Sequence, residues 1–415
     1  MKVALHLALL ATCVSPGIAI QAHISQDLCS WNSLPSVFWQ DVCPLANLMP
    51  SSADIRGSRR PSPRNDAKAA GSGSWSRSPD CFGEYCVYTN NNFFGQGISL
   101  VTTARNHIRI KQIQLPETVS IPNHEKVRAV EIPAKGRGLV ATRTIRRGER
   151  IMAARPALLV HRNAFSDLRL EDIYHLMDRA VGNLPKPRKE SYLAQAGTMG
   201  GHKITDILFT NSFQVALGDK DGGFHYGNFP EVSLLNHDCR PNLAFFVDQN
   251  LTHYTHAVRD IAPGEELTIS YIDALQARLV RQERTRSSLG FSCGCSQCAL
   301  PPKESDASDN RLLAISRIEG ELLDVSSKTS SPTLIEEYVA LYRAERLEFK
   351  IAGAYTLAAL NYNLLGKADM TKKYGQLAIE AGLLESGPDA ADVRQMRILA
   401  DDPRSHWSWN MKSHK

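Results

Sequence analysis

Three cysteines fall within six residues, Cys293-Gly294-Cys295-Ser296-Gln297-Cys298, and no other stretch so narrows what this chain can fold into. Thiols at that spacing are improbable by chance and favour zinc. Three thiolates are one ligand short of the closed tetrahedral site that structural zinc takes. Of nine cysteines, five stand in the first 86 residues (Cys13, Cys29, Cys43, Cys81, Cys86) and the ninth is Cys239. The rear four match, in number and type, what a closed zinc site needs. The front set, less Cys13 if a leader is removed, has the number for two disulfides. Cys81 and Cys86 pair across a hairpin in an oxidising compartment, or stay buried thiols in a reducing one.

With 415 residues there is room for two or three domains and a sizeable core. A composition of 43% hydrophobic and 22% charged residues is ordinary for a soluble globular protein. The formal charge of +5 suits an acidic partner surface but falls short of a nucleic-acid signature, so no direct nucleic-acid partner is expected. Residues 1–22 carry Lys2 and then an apolar run, which fits a secretory signal peptide; a buried N-terminal helix is the other reading. That run is too short to span a bilayer, and no later stretch qualifies. Residues 23–80 read as a disordered linker, rich in Ser, Pro, Arg and Gly from residue 44 onward. Residues 81–124 alternate around a turn of asparagines and read as a β-hairpin region.

Val127–Ile132 alternates like a strand and runs into Lys135-Gly136-Arg137-Gly138. Two glycines one residue apart let backbone approach a ligand closely. The register is wrong for a phosphate loop. Residues 163–201 show helical spacing and stop at Gly200-Gly201; Asn211-Ser212-Phe213 follows. Next comes Ser233-Leu-Leu-Asn236-His237-Asp-Cys239-Arg-Pro-Asn242. Asn236 offers two donors and an acceptor, enough to fix an adenine edge or a carboxylate. His237 suits a general base, a zinc ligand or a structural hydrogen bonder, and the last is the commonest role for a lone histidine. A hairpin over residues 243–258 precedes a Pro263-Gly264 turn and a strand predicted over 266–271, ending in Tyr271. Asp273 and Gln276 form a capping-box pattern opening a helix over 274–288, whose Arg278, Arg281, Arg284 and Arg286 read as a solvated face. A polar linker is expected over 301–308, then helices to about residue 400 and a tail over 401–415. Two of those helices, 352–365 and 371–384, resemble one degenerate tetratricopeptide-type pair.

Asn-His-x-Cys, a strand ending in tyrosine and Cys-x-Cys-x-x-Cys, in that order after Lys-Gly-Arg-Gly-Leu, resemble the SET-domain protein lysine methyltransferases. The likeness covers roughly residues 81–300 and is nearest to fungal SET proteins related to the SET-and-MYND group but lacking the MYND finger, since no MYND cysteine–histidine cluster is present. It implies an α+β protein: a SET β-fold with a pseudoknot over 125–275, a post-SET zinc motif over 276–300 and a C-terminal helical region over 301–400. It further implies S-adenosylmethionine held by Lys135, Gly136, Arg137, Gly138, Asn211, Asn236, His237, Tyr271 and Phe291. Zinc would be held by Cys239, Cys293, Cys295 and Cys298, with the pseudoknot bringing in the fourth ligand.

Tyr271 is the implied catalytic residue. Methyl transfer is an in-line displacement, so geometry outweighs acid–base power. The attacking lysine must be neutral, and a nearby sulfonium charge together with desolvation lowers its pKa. The phenol would hold the amine in line rather than act as a base, since a tyrosine titrates only near about 10. The expected activity is methyl transfer to a protein lysine, with a protein substrate as partner. The alternative is a catalytically inactive SET module acting as a protein-interaction scaffold. For localisation, the leader points to secretion and the thiolate chemistry to nucleus or cytoplasm.

Overall fold

Short strands rich in β-branched and aromatic residues build the first two thirds of the chain, and helices the last third. The computed structural model describes residues 75–76, 80–113, 125–198, 200–217, 223–327 and 329–412. The signal-peptide-like segment and nearly all of the expected linker lie outside the described residues.

Strands β1 (Cys81–Phe82) and β2 (Tyr85–Asn90) form a hairpin in which Cys81 and Cys86 face each other and are joined by a disulfide. β3 (Ile98–Thr103) pairs with β2 and leads into α1 (Ala104–Lys111), where the Thr103 side chain accepts from the Asn106 N–H. A second hairpin follows, β4 (Val127–Ile132) and β5 (Gly136–Ala141), then β6 (Arg150–Ala154) and β7 (Leu158–His161). Four helices come next: α2 (Ala164–Asp167), α3 (Leu170–Gly182), α4 (Lys186–Leu193) and α5 (Lys203–Asn211). The strands resume as β8 (Ser212–Ala216), β9 (Phe224–Asn228), β10 (Asn236–His237), β11 (Leu243–Val247), β12 (His253–Ala257) and β13 (Glu266–Ile269).

Among the described residues three sheets result: β1-β2-β3-β7-β9-β8, β10-β13-β5-β4 and β11-β12-β6. The N-terminal hairpin shares the first sheet with β7, because β3 runs parallel to it. The second sheet matters most for the site. Its two-residue strand β10 runs parallel to β13, with Asn236 opposite Thr268 and His237 opposite Ile269. β13 stops at Ile269, so Tyr271 stands beyond the strand rather than closing it as the alternation predicted. Leu267, Thr268 and Ile269 are all buried, which means that both faces of β13 are covered.

After the sheets come α6 (Arg278–Leu289), α7 (Pro302–Leu323), α8 (Pro332–Ala344), α9 (Ile351–Leu364), α10 (Ala368–Glu385) and α11 (Ala391–Asp401). Two expectations are corrected here. The stretch read as a polar linker over 301–308 is the start of α7, opened by prolines at its first positions, with Ser305 and Ser308 buried. The helix expected from residue 274 begins at Arg278 instead. Asp273 does accept from the Leu275 N–H and the Gln276 amide, but it closes a turn, and Asp309 of α7 accepts the Arg278 N–H. No described helix is long and apolar enough to cross a membrane.

Candidate active site and metal centre

The thiols of Cys239, Cys293, Cys295 and Cys298 are all buried, and their sulfurs lie within 4.8 Å of one another. Cys239 Sγ is 3.7 Å from Cys298 Sγ and 4.0 Å from Cys293 Sγ. A tetrahedron of sulfurs at the usual zinc–sulfur distance has edges of about 3.8 Å, so this cluster has the size of a zinc cage. Little else packs the corner. Ile272 is its one other fully buried apolar residue, with Tyr271, Leu289 and Phe291 half-buried around it.

His237 connects this cluster to the tyrosine. Its Nδ1 accepts the backbone N–H of Tyr271 at 3.1 Å, which puts the ring proton on Nε2. Nε2 faces Cys239 Sγ at 3.4 Å, and a donor there requires an accepting sulfur. The Cys239 sulfur is thus the acceptor in this contact, the role it also has as a metal-bound thiolate. Burial pushes the imidazole pKa down to about 4, so the ring stays neutral at physiological pH. Arg281 of α6, 1% exposed, lies beside the same sulfurs and donates Nη1 to the Gln276 carbonyl at 2.5 Å. Burial pulls its pKa down, but the Cys239 and Cys298 sulfurs beside it push it up and prevail. Arg281 thus leaves the solvated face on which its sequence spacing placed it.

Tyr271 is fixed at both ends. Its hydroxyl donates to the Leu235 carbonyl at 2.6 Å, and its ring lies 5.4 Å from His237 and 6.5 Å from Phe291. Burial, reinforced by the Glu266 charge, raises the phenol pKa, so it remains a protonated donor. Phe291 also stands 5.9 Å from the His237 ring. Just before it, Gly290 ends α6 in a left-handed conformation, and a Cβ there would stand 3.2 Å from Thr198.

The turn from β4 to β5 supplies the polar side of the site. Lys135 Nζ pairs with Glu266 Oε2 at 2.6 Å, while Asn236 Nδ2 donates to Glu266 Oε1 at 2.9 Å and to the Arg137 carbonyl at 3.4 Å. A Cβ at Gly138 would sit 2.7 Å from Asn236 Nδ2, so glycine is what lets β5 approach β10. Gly136 has φ +73 with open space around it, a stretch of backbone that a ligand can reach. Glu266, which sequence reasoning missed, organises this cation and amide; the doubled Glu265-Glu266 at the start of β13 was its only signal.

Eight of the expected residues therefore gather in one place: Asn236, His237, Tyr271, Phe291 and the four cysteines. Lys135, Arg137 and Gly138 join them through Asn236 and Glu266, and Gly136 lies in the same turn. Asn211 stands apart from these contacts. Its amide donates to the Ala196 and Ile207 carbonyls at 2.7 and 2.9 Å, tying the end of α5 to the segment that carries Thr198.

Comparison with known proteins gives these contacts a family. Residues 136–272 match the SET domain. The histone-lysine N-methyltransferase set5 of Schizosaccharomyces pombe is 26% identical over 302 residues, covering 68% of this chain and 86% of that one. N-lysine methyltransferase SMYD2 of Gallus gallus is 39% identical over 84 residues, 20% of this chain and 19% of that protein. Histone-lysine N-methyltransferase SMYD3 of Homo sapiens is 42% identical over 81 residues, 19% of this chain and 18% of that protein. The matches to SMYD2 and SMYD3 thus span about a fifth of those proteins' length. Residues 136–272 are thus a SET domain within an α+β fold, and the chain is similar to protein-lysine methyltransferases.

Proposed function

We propose that this chain transfers a methyl group from S-adenosylmethionine to the ε-amine of a lysine in a protein substrate, beside a structural zinc ion held by Cys239, Cys293, Cys295 and Cys298. The observation that carries this reading is the double fixing of Tyr271, by His237 at its N–H and Leu235 at its hydroxyl, next to Phe291. S-adenosylmethionine supplies an activated methyl on a sulfonium and presents both an ammonium and a carboxylate. The residues around the β4–β5 turn suit that pair of charges: Lys135 and Asn236 are donors and Glu266 is an acceptor, in one hydrogen-bonded group. Gly136 leaves backbone accessible beside them, and the aromatic face of Phe291 suits an adenine.

Within this site the chain's own work is positioning. The phenol of Tyr271 stays protonated, so it orients the incoming amine and does not remove its proton. Covered faces on β13 and a half-buried Tyr271 keep bulk water from competing. The four cysteines hold the segment 291–298 against β10, so Phe291 is placed by the same cluster that receives the His237 N–H. Which protein is the substrate lies outside these contacts; set5 and SMYD3 carry histone-lysine in their names, and a histone tail is the first substrate to try.

The test is calorimetric titration of S-adenosylmethionine into the purified chain, with zinc measured on the same sample and methyl transfer followed on histones. Saturable binding at one zinc per chain is expected, weakened in Asn236→Ala. Tyr271→Phe is expected to keep binding within about twofold while lowering turnover by roughly 100-fold, the scale of misplaced reacting groups. Zinc without any binding of S-adenosylmethionine would replace the methyltransferase reading with that of an interaction module.

A further inference from the structure

One carboxylate in the C-terminal helices is linked, directly or through Arg240, to three segments of the site. Glu345, at the end of α8, is 2% exposed. Its Oε2 accepts from Arg240 Nη2 at 2.6 Å, from Ser308 Oγ at 2.8 Å and from Gln297 Nε2 at 3.4 Å. Its Oε1 accepts from Arg311 Nε at 2.7 Å, and its backbone carbonyl accepts from Arg240 Nε at 2.5 Å. Arg240 passes the connection on, donating Nη1 to the carbonyls of Cys239 at 2.8 Å and Ala274 at 3.1 Å. The first limb held in this way carries the thiol that receives the His237 N–H. The second follows Tyr271 by three residues, and the third, Gln297, lies between Cys295 and Cys298.

Stability alone is a poor reason for such an arrangement. Taking both charges of an ion pair out of water costs about as much as their attraction returns, and apolar replacements often do as well. Here the two side chains are each 1% exposed. Burial raises the Glu345 pKa, but the hydrogen bonds from Arg240, Ser308 and Arg311 outweigh it and hold the carboxylate ionised. What the pair provides that apolar packing would not is direction. The planar guanidinium fixes two carbonyls from different segments relative to one carboxylate.

We propose that Glu345 is a positioning residue for methyl transfer and for zinc retention, acting through Arg240 on Cys239 and on the segment after Tyr271. The catalytic part of this rests on the methyltransferase reading above; the metal part does not. The C-terminal helices are then a working part of the site, although they lie beyond the SET domain in sequence.

The test compares Glu345→Gln with Glu336→Gln in the full chain. Glu336 is on the same helix but bonds Tyr362 and Tyr374, away from the site. Zinc release to a chromogenic chelator is followed alongside kcat and the KM for S-adenosylmethionine, well below the melting temperature. Glu345→Gln is expected to release zinc at least tenfold faster and to lose at least tenfold in kcat, with KM within twofold; Glu336→Gln should match the unaltered chain in all three. Ser308→Ala, which removes the bond to Glu345 and the one accepted from Gln297 but no charge, should shift zinc release two- to threefold in the same direction, so the proposal stays testable even if Glu345→Gln folds poorly. Unchanged zinc release and kcat in Glu345→Gln and Ser308→Ala would overturn it, as would equal acceleration by Glu336→Gln. If the unaltered chain transfers no methyl group yet Glu345→Gln still sheds zinc faster, the methyltransferase reading fails while the positioning role at the metal stands.

Discussion

A single buried histidine shows how far the interior of this fold departs from water. His253 on β12 is fully buried, stacked on Phe245 with centroids 4.8 Å apart and set edge-on to Phe213 at 4.6 Å. Burial, with the nearby His256 acting in the same direction, pushes its pKa down to about 3. The native ring is therefore neutral where the unfolded ring, with its usual value of 6.5, takes up a proton. The stability this group contributes is complete above pH 6.5 and is lost as the pH falls toward 3, at about 1.4 kcal/mol per pH unit. His225, which shares a 2.7 Å hydrogen bond with Thr102, is shifted the same way by burial. Replacing His253 with leucine is expected to flatten the dependence of unfolding free energy on pH by about one proton between pH 6 and 4, read by urea titration at several pH values. An unchanged slope would mean that the native ring accepts a proton after all.

Among elements, α6 and the cysteine segment behind it depend most on something other than apolar packing. Their corner holds four thiols, Ile272 and three half-buried neighbours, too little hydrophobic surface to order some thirty residues. Cys295→Ser is expected to reduce zinc from one per chain to none and to speed amide exchange over residues 271–300, while β2 and β3 keep their protection. Equal deprotection of β2 and β3 would show that the metal supports the whole fold and not this corner. The same element shows what could be read from sequence. Cys293, Cys295 and Cys298 are legible because their spacing is local, and β11 and β12 because two strand-forming runs around a turn are local too. Cys239 entered through the cysteine count and was tied to the other three only by resemblance, since nothing nearby says where a thiol 54 residues away will lie. Arg281 was misread because a charged residue within Arg-Gln-Glu-Arg-Thr-Arg looks solvated in any local window; its burial is set by thiols from other segments. Glu266 and Glu345 were missed for the same reason, and Ser308 was read as linker because polar composition does not reveal a buried hydrogen-bond partner.

At the scale of the whole molecule, the boundary between the sheets and the C-terminal helices is a boundary in sequence more than in packing. Ala244 of β11, Val258 and Ala274 belong to the same buried cluster as Ile315 and Ile318 of α7, Tyr338 and Tyr342 of α8, and most of α9. Gly387, with φ +87, lets the turn after α10 lie directly on Phe246, since a Cβ there would stand 2.6 Å from that ring. The tail folds back as well: Asn410 N–H donates to the Asn363 carbonyl and Lys412 N–H to that of Leu364, which gives the Trp407–Trp409 region a place against α9. A chain ending at Leu300 would expose this shared core and strip Arg240 of its carboxylate, and leaving one partner of a buried pair alone costs about 3–5 kcal/mol. Such a loss is comparable to the roughly 5–15 kcal/mol by which a typical domain is stable. The truncated chain is therefore expected to lose its near-ultraviolet circular dichroism, bind a hydrophobic dye and fail to retain zinc, although it contains every residue of the SET domain. Cooperative unfolding with zinc still bound would instead make the helices an independent unit, and the buried contacts of Arg240 and Phe246 would then be dispensable to the fold.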